Sequence, residues 1–261
     1  MVRMVLNPLT AVLWAVFLIC ATVAIVARLR GRVHLGLGVR RPRPWRALAA
    51  GTGIAVLSIG LVFAAELAYG AVTVSSAGLD AALLGHALEF FIPWALFEEV
   101  ALRCLLLVGV LVVTRRPWAA LMASAVVFGL AHAPNSDATM VSIASATLGG
   151  VMYALAFLRT GRIWLPLSLH LAWNLSQAAL GFPVSGVTSY STLLVTQTQH
   201  GAWWITGGSY GPEGGLIGIG ARVLVIALIL ALTRNASPSP LLIQPTPGDP
   251  SQHTPEPALS A

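Results

Sequence analysis

The 261-residue chain contains no lysine: all 15 of its basic residues are arginines, set against nine acidic ones. Charged residues make up only 9% of the sequence, where soluble globular domains carry about 25%. That scarcity excludes an ordinary water-facing domain. A hydrophobic fraction of 57% and a mean hydropathy of +0.82 point to an integral membrane protein instead. Cysteine is nearly absent too. Cys20 and Cys104 fall in separate apolar stretches without metal-type spacing and read as small buried hydrophobes. The turn-rich alternating segments of an outer-membrane barrel are missing, which leaves an all-α, polytopic transmembrane bundle. No internal repeat is visible, so a transporter built from two inverted halves has no support.

What the sequence does have is apolar runs, at about 4–27, 47–69, 83–113, 118–131, 139–158, 163–180 and 214–232. They predict about seven to eight spans. Three regions follow: N-terminal helices with a basic loop (1–80), a core (81–234) and a tail (235–261). The first run is too long for a signal peptide and is followed by seven arginines between Arg28 and Arg46, so it reads as an uncleaved anchor. The tail holds seven prolines among small polar residues and is expected to be disordered. The small residues of 142–150 predict close helix packing.

The net charge of +6 belongs to loops, not to a nucleic-acid stripe. Arg28 to Arg46, Arg115, Arg116, Arg159, Arg162 and Arg234 all fall on one side if seven spans alternate, while 70–82, 133–138 and 181–213 contain no arginine. The positive-inside rule then puts the N-terminus outside and the C-terminus inside, with Arg3 dissenting.

Against this background Glu98-Glu99-Val100-Ala101-Leu102-Arg103 stands out inside the apolar run 83–113. A charged residue at a helix centre costs roughly 2.5 to 3.5 kcal/mol on insertion scales, so such a cluster needs a function or a strong structural reason. Glu99 and Arg103 lie one turn apart in the favourable order and can neutralise each other, which by itself fits a brace between helices as well as a site. Glu98 then has no partner in its own helix. Two more pairs share the one-turn spacing, Phe128 with His132 and His170 with Asn174. Burying Glu98, His132, His170 and Asn174 separately would strand several polar groups in hydrocarbon, and one shared cavity would satisfy them together.

The three motifs, E-E-V-A-L-R at 98–103, F-G-L-A-H at 128–132 and H-L-A-W-N at 170–174, resemble in order and spacing the E-E-x-x-x-R, F-x-x-x-H and H-x-x-x-N/D series of the CAAX protease and bacteriocin-processing family. The stretch 159–166 resembles that family's lead-in to its last motif, and 207–215 a segment of bacterial members. The resemblance covers roughly 81–232. It implies an intramembrane glutamate endopeptidase that cleaves a membrane-associated protein or peptide without metal or cofactor, in a bacterial-type cell membrane. Glu98 would activate a water, His132 would help hold it and move its proton, and Glu99, held by Arg103, would shape the site. His170 and Asn174 would stabilise the oxyanion, and Phe128 would pack beside them. Prenylated CAAX proteins and small secreted peptides or bacteriocins are the family's two kinds of substrate. The rival class is a non-catalytic immunity or scaffold protein that uses the same polar cluster to bind a partner.

Two other chemistries can be drawn from the residues. Glu98, His132 and His170 could form a two-histidine, one-carboxylate zinc site, although the H-E-x-x-H pairing is absent. Gly207 to Gly211 satisfies G-x-S-x-G around Ser209, but in a glycine-rich loop whose later acid and histidine, Asp249 and His253, lie in the tail. Glu66 and Glu89 are expected at segment ends near the interface, Glu213 at a helix entry with reach into the cavity as the alternative, and Trp45, Trp118, Trp164, Trp203 and Trp204 as interface anchors. One mismatch stands out. Counted from the arginine-bearing ends, Glu98 and His132 lie about 14 to 17 residues in and His170 about 8, a difference of about 10 Å in depth.

Overall fold

The computed structural model describes residues 8–38, 44–235 and 241. Every predicted apolar run is helical. In order come α1 (Pro8–Leu29), α2 (Pro44–Ala68), α3 (Ala81–Glu99), a π-helical segment (Val100–Leu107), α4 (Val108–Thr114), α5 (Pro117–Ala131), α6 (Met140–Thr160), α7 (Trp164–Ala179), the single turn α8 (Trp203–Thr206) and α9 (Leu216–Leu232). A small antiparallel pair, β1 (Val72–Ala77) with β2 (Val195–Gln199), is the one sheet among the described residues. Of the tail, only Asn235 and Leu241 are described. The expectation of disorder therefore falls outside the described residues.

Local chemistry sets the helix ends. Asp80 caps α3 by accepting from the Leu83 amide at 2.8 Å, and Thr139 with Ser142 forms a reciprocal capping box at the start of α6. Pro117 occupies the first turn of α5, where a missing N–H costs nothing. Gly161, at φ +64°, closes α6 in the left-handed region that a side chain disfavours.

Helices α2 and α6 are long and apolar enough to cross a membrane, and α1, α5 and α9 contain shorter apolar stretches. The exterior suits lipid better than water: Leu57 and Leu61 on α2, Trp94 and Phe97 on α3, and Val223 and Leu230 on α9 all lie exposed. Inside, α2 runs along α7, and α5 along α6. The closeness of the second pair depends on the small residues at 142–150. A Cβ on Gly150 would sit 2.7 Å from the Cα of Ala125, and Gly129 meets the α6 backbone in the same way.

The arginine-bearing connections gather at one end of the bundle. The Gly36 carbonyl accepts from the Ile163 amide at 2.8 Å, and Arg159 donates to Thr233 through Nε at 3.0 Å and Nη2 at 2.8 Å. Arg30, Arg32 and Arg115 line one cleft between the ends of α1 and α4. At the other end β1 pairs with β2, and Asn135 Nδ2 donates to the Ser185 carbonyl at 2.9 Å. Those contacts join the three arginine-free connections.

Two placements differ from expectation. Glu66 is fully buried rather than interfacial and accepts from Gln199 Nε2 at 3.2 Å, because β2 folds back over the end of α2. Ser209 lies exposed on a 3-10 turn, Gly208–Tyr210, and not on a strand-to-helix elbow.

Replacing Gly150 with leucine should lower the thermal stability of the purified protein in detergent by about 1 to 3 kcal/mol through overpacking against Ala125. The same change at Gly60, which has open space around its Cα, should leave the melting curve unchanged.

Candidate active site

The six motif residues split into a connected group and two residues that share only a cavity with it. Glu99 and Arg103 are both fully buried, with Arg103 Nε 3.3 Å from Glu99 Oε2. His170, on α7, reaches both glutamates: Nδ1 lies 3.0 Å from Glu99 Oε1 and Nε2 lies 3.5 Å from Glu98 Oε2. Ser124 on α5 accepts from Arg103 Nη1 at 3.2 Å and passes its own proton to the Leu102 carbonyl at 2.9 Å. The rings of Phe128 and Tyr153 cover the guanidinium at 5.1 and 5.6 Å, and Tyr153 stacks on His170 at 4.6 Å. Arginine keeps its charge under all ordinary conditions, so this aromatic and carboxylate cage is what permits its burial.

Glu98 differs from Glu99 in exposure. Its side chain is 23% accessible and lines a cavity of about 280 Å³, whereas that of Glu99 is 0% accessible. His132 and Asn174 line the same cavity. His132 Nδ1 lies 2.8 Å from the Phe128 carbonyl, an acceptor, so Nδ1 carries the proton and Nε2 is the free ring nitrogen. Asn174 makes no side-chain hydrogen bond among the described residues, which leaves both its amide functions free.

The backbone is unusual at this point. Pro93 removes one hydrogen bond inside α3, and the helix widens to π geometry at Val100, directly after the glutamate pair. Such widened turns recur at functional sites because they re-aim the side chains around them. For Glu98, though not for His132, the depth mismatch also finds a reason here. The three consecutive helical segments from Ala81 to Thr114 total 34 residues, about 50 Å of helix against a hydrocarbon core of about 30 Å. Counting from Thr114 therefore overstates the depth of Glu98.

Sequence reasoning missed a second buried ion pair on the same cavity. Glu213 is not at an exposed helix entry; it is 4% accessible and pairs with Arg222 of α9, itself 3% accessible. Trp173 Nε1 donates to Glu213 Oε1 at 2.9 Å, the Ser185 hydroxyl donates to Oε2, and Arg222 donates to Ser145. Both Glu213 and Arg222 line the cavity. The available signal was Arg222 itself, an arginine in the middle of the last apolar run.

Fold and site together define a lipid-suited helical bundle with a polar cavity built on buried, neutralised charges. Residues 87–176 match the family model for type II CAAX prenyl endopeptidase, Rce1-like, so this segment is similar to the CAAX protease family. The matched stretch runs from α3 to α7 and contains all six motif residues, as the motif resemblance leads one to expect. No curated protein and no solved structure matches the chain.

Arg222→Met should cost about 3 to 5 kcal/mol, because it leaves the Glu213 carboxylate buried without its cation. Adding Glu213→Leu should restore part of that loss. Thermal unfolding of the single and double variants in detergent measures both.

Proposed function

We propose that the chain is a membrane-embedded, multi-pass endopeptidase that hydrolyses a peptide bond of a membrane-associated substrate with a water activated by Glu98. The match to a protease family supports the reaction class. The observation that carries the assignment of roles is the division of labour between the two glutamates. Glu99 is buried between Arg103 and His170, while Glu98 faces the cavity beside His170.

In this reading the water loses its proton to Glu98 as its oxygen bonds to the scissile carbonyl carbon. His170 donates through Nδ1 to Glu99 and turns Nε2 toward Glu98; a proton on Nε2 serves the reaction in this reading. The same Nε2 proton, with the Asn174 amide, stabilises the tetrahedral oxyanion. Collapse of that intermediate breaks the C–N bond, and the proton held by Glu98 passes to the leaving amine, directly or by way of His132 Nε2.

Glu98→Gln should melt like wild type and lose about 10² to 10⁴-fold in cleavage of membrane-anchored peptides. Asn174→Ala should lose about 10² to 10³-fold. Wild-type turnover should withstand a chelator. Turnover lost with chelator would move the water to a metal held by Glu98, His132 and His170. A Glu98→Gln variant as active as wild type would reject the proposed base, and a wild type that cleaves none of a library of membrane-anchored peptides would favour the non-catalytic, partner-binding reading.

A further inference from the structure

The two ends of the bundle differ in charge, and the cavity belongs to one of them. Its wall includes Asn135, Val184, Ser185 and Val187, all from connections that contain no arginine. None of its lining residues comes from 28–46, 115–116, 159–162 or 234, the arginine-bearing connections. Arg222, the one arginine that does line it, belongs to α9 and is neutralised by Glu213. Short loops rich in arginine stay in the cytoplasm. We infer that the cavity opens at the extracytoplasmic face and that its substrate is a polypeptide segment presented there, translocated or secreted, and not one confined to the cytoplasm.

The walls fit that entry. Phe90 and Trp94 of α3 border the cavity, and Trp94 is 53% accessible on the outer face of the helix. They offer an apolar side to a segment arriving from the outer leaflet. Asn135, held by the Ser185 carbonyl, ties the mouth to the turn after α5, so the outer connections shape the opening directly.

The inference rests on the peptidase reading for its substrate but not for its geometry, and the test separates them. Val187→Cys, at the mouth, and Thr114→Cys, at the arginine-bearing end, are each expressed in bacterial membranes and treated with a charged, membrane-impermeant maleimide. Spheroplasts and sealed inverted vesicles are compared, with wild type as the background for the buried Cys20 and Cys104. Thr188→Cys, on the exposed residue next to Val187, serves if Val187→Cys fails to accumulate. The expected result is labelling of the mouth cysteine in spheroplasts and its loss in inverted vesicles, with the reverse for Thr114→Cys. Labelling of the mouth cysteine in inverted vesicles alone overturns the inference. In parallel, soluble charged fluorogenic peptides are added outside right-side-out or inverted vesicles. Cleavage in right-side-out vesicles alone supports the inference, and cleavage in inverted vesicles alone overturns it. Cleavage in neither, with the expected labelling, overturns the substrate half of the inference and leaves the outward mouth standing.

Discussion

The interior of this protein is organised by the need to bury arginine where it cannot lose its charge. A lysine in hydrocarbon can shed its proton; arginine does not, so each buried guanidinium requires a carboxylate within reach. Arg103 finds Glu99 within its own helix, and Arg222 finds Glu213 across a turn. Each pair then recruits neighbours as hydrogen-bond partners, His170 and Ser124 in the first case and Trp173, Ser185 and Ser145 in the second. These recruits come from α5, α6, α7 and the connection before α9, so satisfying two cations fixes how much of the bundle is assembled.

The same logic explains how a second carboxylate can exist in such a place. Glu98 is tolerable because it lines a polar cavity and because the His170 ring, held at Nδ1 by Glu99, lies beside it. The histidine thus bridges a fully buried carboxylate and one that faces the cavity. Stacking on Tyr153 fixes the plane of the ring.

Much of this was legible in the sequence, for identifiable reasons. The Glu99–Arg103 contact follows from one-turn spacing, and the separation of arginine-rich from arginine-free connections follows from alternating spans; the structure shows both. The contact between His170 and both glutamates was implied only by the common problem of burying polar groups. Residue counting argued against it because a helix longer than a bilayer gives no fixed reference for depth. Glu213 with Arg222 went unseen because their spacing matches no helical period: a 3-10 turn and a helix start intervene, and only the folded chain places them face to face. The π segment and the β1–β2 pair leave no mark that composition or periodicity can detect.

The β1–β2 pair has a mechanical consequence. It joins the connection that enters α3, the glutamate helix, to the one that leaves α7, the histidine helix, through main-chain bonds from Val72–Gln199 to Ala77–Val195. The helices are thereby linked twice, once by charge in the interior and once by backbone at the surface. A pair of rods pinned at two heights resists both shear and splay. The distance between Glu98 and the His170 imidazole is accordingly a property of the scaffold.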